Sequence, residues 1–256
     1  MEDLTKLLVA DDSAAIELTR KTGEAALATL EAHLEHQDPD VRFLVVECLV
    51  ALRTPAALRL LPPRIEDSSL DVRLEAVNAL LDHGPVAGMG PELAALFDRT
   101  SDGFIRRQLA LVLGGLEARE SGSRLSGRLV TNDLAQDGLL AALARQGDPT
   151  ARVRFAQLLR EAEGLRVVEV LALFRYMGRA DYTPDLLPLI EREEVVQNLS
   201  NDLTKIERRA CDVALDEFLR LRPDEFAWGL RPPHDPYLYT ELVEVRALLR
   251  REAGQA

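Results

Sequence analysis

The sequence predicts an all-α fold, an α-solenoid of stacked helical hairpins whose C-terminal part is more degenerate. Three observations carry this expectation. The triplet Asp40-Val41-Arg42 returns as Asp71-Val72-Arg73, with worn copies at Phe104-Ile105-Arg106 and Thr150-Ala151-Arg152. The four arginines stand 31, 33 and 46 residues apart, and self-similarity at a period of about 20–50 residues marks a stacked repeat protein. Leu and Ala dominate while aromatic residues make up 5% of the chain, a composition that suits closely packed helices rather than a β-sandwich.

Taken in order, residues 2–22 read as a short amphipathic helix or helix pair, with a break offered at Asp11-Asp12-Ser13, which caps the open end of the array. From Glu24 to Glu35, Ala26, Leu27, Leu30 and Leu34 share one helical face. Asp38 is an N-cap with Pro39 at the first helical position, where a missing N–H costs nothing. The helix from Pro39 to Leu52 then buries Val41, Val45, Cys48, Leu49 and Leu52. Thr54-Pro55 starts the next unit, Pro62-Pro63 kinks or ends its first helix, and Ser68-Ser69 caps a second helix that packs through Val72, Ala76, Ala79 and Leu80.

Gly84 to Pro91 reads as a loop. A third unit begins at Pro91, and its second helix runs from about Gly103 to Glu117 with Ile105, Leu109, Val112 and Leu113 buried. Residues 120–131 are a polar insertion, which accounts for the longest step. A fourth unit resumes at about Leu134, and Asp148-Pro149-Thr150-Ala151-Arg152 restates Asp38-Pro39-Asp40-Val41-Arg42. Beyond Gly164 the motif disappears but helices continue. They are expected over Leu165–Tyr176, from Thr183-Pro184, over Leu203–Leu221 and over about Tyr237–Arg251. No strand-like alternation is apparent. The expected organisation is one continuous array, with capping helices in 1–23, repeats in 24–163, and degenerate repeats and a C-terminal cap in 164–256.

The formal net charge is −12, distributed as −9 over residues 1–120 and −3 over the rest. Such a surface repels phosphate backbones, so nucleic acid is disfavoured as a partner. Cys48 and Cys211 each sit in an apolar helical pattern and read as buried free thiols. The chain starts without the basic, apolar leader of a signal peptide and has no apolar run near the roughly 18 residues of a membrane span. It is therefore expected to be cytoplasmic.

The motif residues Asp38-Pro39-Asp40-Val41-Arg42 with Ala51-Leu52, Asp71-Val72-Arg73 with Ala76 and Ala79-Leu80, and Asp148-Pro149 with Arg152 resemble HEAT repeats. The closest kind is the short bacterial form grouped with phycobilin-lyase-like repeats. The resemblance covers roughly residues 24–163 and implies a right-handed superhelix. It also implies a ladder in which Asp40, Arg42, Asp71, Arg73, Arg106 and Arg152 bond along the stack, broken where Phe104 replaces the aspartate. The family includes scaffolds, adaptors, accessory proteins of chromophore attachment and a few enzymes, so it fixes fold and not chemistry.

Counting from each arginine selects the positions expected to face a concave surface. They are Phe43, Leu44 and Glu47; Leu74, Glu75 and Asn78; Arg107, Gln108 and Leu111; and Val153, Arg154 and Gln157. The apolar members suggest a mixed groove that holds a protein segment, acidic toward the N-terminus and more basic toward the middle. The alternative is that the register is off by one and these residues are core.

Chemistry is harder to find. His33 and His36 lie near Glu35 and Asp38 but lack a third histidine, so they read as surface residues and no metal or cofactor is expected. Glycine clusters lack phosphate-loop spacing, no nucleophile elbow occurs, and Glu193-Glu194 reads as a solvated face. Trp228, Tyr237 and Tyr239, beside Arg231 and His234, form either a second contact surface or the packing of the last helix. The expected function is a non-catalytic interaction module, an adaptor, scaffold or neutralising partner that binds another protein. The alternative is an enzyme or enzyme accessory, chromophore-lyase-like or, against the acidic charge, DNA-glycosylase-like.

Overall fold

Helix starts are set by side chains that take up free backbone N–H groups. The protein is described by a computed structural model over residues 2–10, 12–116, 125, 135–200, 205–230 and 236–254. In it, Asp38 Oδ1 accepts from the Asp40 N–H at 3.0 Å, and Asp148 Oδ1 accepts from the Ala151 N–H at 2.8 Å. Asp102 Oδ1 accepts from the Phe104 N–H at 2.9 Å, and Thr54 Oγ1 from the Ala57 N–H at 3.3 Å. Each satisfies a donor that the helix itself leaves unpaired. The expected Ser68-Ser69 cap differs, because Asp67 Oδ1 accepts from the Ser69 N–H at 2.9 Å instead.

The chain divides into two compact units, Met1–Ala142 and Leu143–Ala256, a division that falls inside the expected 24–163 block. In the first unit, α1 (Glu2–Ala10) and α2 (Asp12–Thr22) precede α3 (Leu27–His33) and α4 (Pro39–Leu52). A four-residue α5 (Pro55–Leu58) and a 3-10 turn at Pro62–Glu66 lead to α6 (Leu70–His83). The prolines prevent one continuous first helix here. Next come α7 (Gly90–Arg99), α8 (Gly103–Gly114) and α9 (Ala135–Arg145), the last of which crosses the division. Of the polar insertion over 120–131, Leu125 alone is among the described residues, and its side chain is buried.

Helix α4 packs on α2, α3 and α6, and α6 packs on α8, so each unit buries its apolar stripe against its neighbours. Val41, Val45, Cys48 and Leu49 on α4, Val72, Ala76, Ala79 and Leu80 on α6, and Ile105, Leu109, Val112 and Leu113 on α8 are all buried. Gly138 admits α9 to the backbone of α8. A Cβ there would stand 2.8 Å from Arg107 Cγ and 2.9 Å from the Arg107 carbonyl oxygen.

In the second unit, α10 (Pro149–Glu161) and α11 (Leu165–Met177) are followed by a 3-10 turn (Ala180–Leu186) and α12 (Leu187–Ile190). Then come β1 (Val195–Ser200), β2 (Lys205–Arg209), α13 (Ala210–Leu221) and α14 (Tyr239–Glu252). The antiparallel hairpin β1–β2 corrects two expectations, that no strand occurs and that a helix runs from Leu203. It carries an irregularity between Val195 and Gln197, so Val196 is the extra residue of a bulge, and that side chain is buried. Helix α13 packs against α11, α12 and the 3-10 turn, and all its residues from Ala210 to Phe218 and Leu219 are buried. Three of these are acids. Asp212 pairs with Arg209 at 2.9 Å, Asp216 with Arg208 at 2.7 Å, and Glu217 with Arg175.

The arginine ladder is present but uses different acids from those expected. Arg42 makes a forked contact with Asp67, Nε to Oδ2 at 2.9 Å and Nη2 to Oδ1 at 2.7 Å. Its Nη1 donates to the carbonyl oxygens of His36 at 2.7 Å and Gln37 at 3.2 Å. Arg73 repeats the backbone contacts on Asp67 at 2.9 Å and Ser68 at 3.3 Å, and Arg106 on Thr100 at 3.1 Å. Arg152 pairs with Asp185 at 3.0 Å. On α4, α6 and α8 the triplet arginine thus ties down the turn before its own helix, whereas Arg152 reaches forward to Asp185. Asp40 and Asp71 take no part in these contacts and are exposed. Two residues before the arginine, the helical rotation has carried the side chain to the outer face.

Burial pushes the Asp67 carboxyl up, but the Arg42 hydrogen bonds, the Ser69 N–H and the charges of Arg42 and Arg64 outweigh it and hold it below the ordinary carboxylate range. The pair's contribution is therefore complete above the ordinary carboxylate value of about 3.9 and is lost as pH falls through the lower folded value. Asp67→Ala is expected to cost about 3–5 kcal/mol, because it strands a buried guanidinium. The check is the urea midpoint at pH 7; a loss below about 1 kcal/mol would mean that this pair does not hold the turn. Asp67→Asn should also flatten the acid limb of stability.

Cys48 and Cys211 are both buried and neither is in a disulfide, and burial, with Asp212 adding to it, pushes the Cys211 thiol up to about 11. Both thiols should resist a water-soluble disulfide reagent in the folded protein and react fully in denaturant. Rapid labelling of either under native conditions would contradict this placement.

Candidate partner-binding groove

Successive residues on a helix point about 100° apart, so the three residues of each triplet face three ways. On α4, Asp40 is exposed, Val41 enters the core and Arg42 turns in toward the loop; on α6, Asp71 and Val72 behave alike and Arg73 is half-buried. One helical turn onward, Phe43 and Leu74 return to the outer side, half-buried. Between the two helices lies a groove of about 270 Å³ lined by Pro39, Asp40, Phe43, Ser69, Asp71, Leu74, Glu75 and Asn78. Asp71, Leu74, Glu75 and Asn78 occupy positions i, i+3, i+4 and i+7, which is one face of α6.

The groove has an apolar floor and acidic walls. Phe43 and Leu74 supply the floor, while Asp40, Asp71 and Glu75 are its charged residues. Among the described residues no Lys or Arg pairs with these three acids. Neighbouring acids of the same unit are paired, Glu66 with Arg99 at 2.5 Å and Glu35 with Arg64. Burial pushes the Glu75 carboxyl up, and the negative charge of Asp82 adds to it. Asn78 is held in place by Gln108 of α8, whose Nε2 donates to Asn78 Oδ1 at 2.9 Å.

The twelve positions read from the sequence are therefore distributed over several environments. Phe43, Leu74, Glu75 and Asn78 meet in the groove, and Gln108 adjoins it through Asn78. Leu44, 2% exposed, and Leu111, 5% exposed, are core and offer nothing to a partner. For these two the expectation is corrected, because the helix rotates them under its neighbours. Glu47 is half-buried outside the groove lining, and Arg107 is half-buried where α9 approaches at Gly138. Val153, Arg154 and Gln157 lie on α10 in the second unit. Val153 is exposed, Arg154 is half-buried, and Gln157 donates to Glu161 at 2.7 Å. The residues missed were Pro39, Asp40, Ser69 and Asp71. The three- and four-residue steps from Asp40 to Phe43 and from Asp71 to Leu74 and Glu75 were the available signal.

The remaining candidate groups are structural. His33 Nδ1 lies 2.8 Å from the Thr29 carbonyl oxygen, and His36 Nδ1 accepts from the Asp38 N–H at 3.2 Å. Among the described residues no group of three or more His, Cys, Asp or Glu could hold a metal ion. Glu193 and Glu194 are met by Arg246 at 3.5 Å and by Arg192. Phe226 stacks on Trp228 at 4.9 Å, Trp228 meets the Tyr237 ring edge-on at 5.8 Å, and Trp228 Nε1 donates to Glu244 of α14 at 3.2 Å. These contacts pack the last helix. Tyr239 stands apart and exposed, and Arg231 and His234 lie outside the described residues. Among the described residues, no helix is long and apolar enough to cross a membrane.

A family profile for HEAT repeats matches residues 4–81 and, in an overlapping register, residues 27–114. Comparison with curated proteins gives no match. The helical pairs, the stacked second helices and this match agree that residues 4–114 are similar to HEAT repeats.

Proposed function

We propose that the first unit is a non-catalytic protein-binding module that holds a segment of another protein in the groove between α4 and α6. One observation carries this reading: Phe43 and Leu74 form a half-buried apolar floor framed by polar and acidic residues in one hollow. An apolar centre with a polar rim is the anatomy of a protein–protein contact. HEAT repeats are typical protein-interaction or scaffold modules, in keeping with this arrangement. The groove, at about 270 Å³, lies just under the roughly 300–1,000 Å³ of small-molecule pockets. Acidic walls disfavour a phosphate backbone.

The test places a photo-crosslinking amino acid at Leu74, and in a second protein at Val9, a remote exposed position, within the native cells. A discrete cross-linked protein is expected from position 74 and not from position 9, and Phe43→Glu should abolish it. No product, or the same product from both sites, would overturn the reading. In purified protein, Phe43→Glu with Leu74→Glu should keep a cooperative melt, whereas Leu44→Ala should cost about 2–5 kcal/mol as a core truncation. Unfolding of the double variant would make Phe43 and Leu74 core residues and end the groove proposal.

A further inference from the structure

We infer that the segment held in this groove is basic: one Lys or Arg side chain settles among Asp40, Asp71 and Glu75 while an adjacent apolar side chain lies on Phe43 and Leu74. This rests on the groove reading above and adds the chemistry of the occupant.

Pairing of charge separates this hollow from two larger ones among the described residues. The larger hollows of the second unit, about 620 and 680 Å³, have walls whose charges are mostly met from within the unit. There Arg152 pairs with Asp185, Glu191 with Arg250, and Glu252 with Arg222. The groove of the first unit has three acids and no basic residue in its lining. Asp40 and Asp71 each sit in the first turn of their helix, where negative charge is favourable, and that role needs no groove. Glu75 is different. It lies past the first turn, is partly withdrawn from water, and has only the like charge of Asp82 acting on it. A cation placed there recovers interaction that the free protein lacks. The apolar floor gives the stem of a Lys or Arg, or its neighbour, a surface to cover. The excess of −9 over residues 1–120 draws a basic segment toward this unit before contact.

The probes are three fluorescein-labelled peptides of equal length in which Leu alternates with Arg, with Gln or with Glu, titrated with the full chain and read by fluorescence anisotropy. The Arg peptide is expected to bind, more weakly as salt rises, and the Glu peptide not to bind. Asp40→Asn, Asp71→Asn and Glu75→Gln together should weaken the Arg peptide about tenfold or more, while the protein keeps a cooperative melt. A control with the same charge change, Glu17→Gln, Glu24→Gln and Glu31→Gln, should leave binding nearly unchanged. Equal weakening by the two triples would mean diffuse attraction and would overturn the inference. Binding of the Gln peptide as tight as that of the Arg peptide, lost in Phe43→Glu with Leu74→Glu, would overturn the cation site and leave the groove standing. No binding by any peptide would also overturn it, with cross-linking at position 74 judging the groove separately.

Discussion

The fork between Arg42 and Asp67 is the constraint on which the first unit depends. A planar guanidinium fits a carboxylate with two parallel hydrogen bonds. Here it also takes the carbonyl oxygens of His36 and Gln37, so one side chain binds the turn before α4 to the turn before α6. Arg64 adds to the same knot, donating to the Leu34 carbonyl oxygen at 2.6 Å and standing 3.6 Å from Asp67. Turns between stacked helices expose carbonyl groups that the helices cannot satisfy. Arginine reaches them where lysine, a compact point charge, would satisfy fewer. Of the 31 basic residues only Lys6, Lys21 and Lys205 are lysine, an imbalance that this geometry puts to use.

The fold was legible where local chemistry and period agreed. Asp38-Pro39 marks the start of α4, and the spacing from Val41 to Leu49 marks its buried stripe; both ends of that helix matched the expectation. The hairpin at Val195–Ser200 and Lys205–Arg209 was not legible as such. Leu203 and Ile206 stand at helical steps before Ala210 and Val213, so the pattern of α13 extends backwards without a break. Short apolar stretches do not separate helix from strand by period alone. The two valines at 195 and 196 and the run of Ser, Asn and Asp at 200–202, residue types that favour turns, were the contrary signals.

The groove was half legible, and the reason is geometric. Counting forward from the arginine found Phe43, Leu74, Glu75 and Asn78 but also swept in Leu44 and Leu111. A position equivalent in sequence is not equivalent in burial: Leu44 is covered where its counterpart Glu75 is half-open. Counting backward would have found Asp40 and Asp71. The family resemblance assigned those two to the ladder, and this hid them as surface residues. The ladder's acids are Asp67 and Asp185, and they stand outside the recurring triplet, where a search for repeats has nothing to align.

Burial of acids is therefore a poor guide to function in this chain, and pairing is a better one. Helix α13 carries Asp212, Asp216 and Glu217 into the interior of the second unit, but Arg209, Arg208 and Arg175 meet them, and the Tyr237 hydroxyl donates to Asp216 at 2.9 Å. Those charges are spent on fixing the hairpin, α11 and the segment before α14 against one helix. Removing any partner would strand a buried charge, so each has a structural reason to be there. Asp40 and Asp71 have one too, at helix starts, but it is satisfied by charge alone and leaves their outer faces open. Glu75 has none: it is partly desolvated, lies beside Leu74, and has no cation among the described residues. A carboxylate held at that disadvantage lowers stability unless a cation completes it, and this is the ground on which Glu75 is proposed as the residue that a basic partner meets.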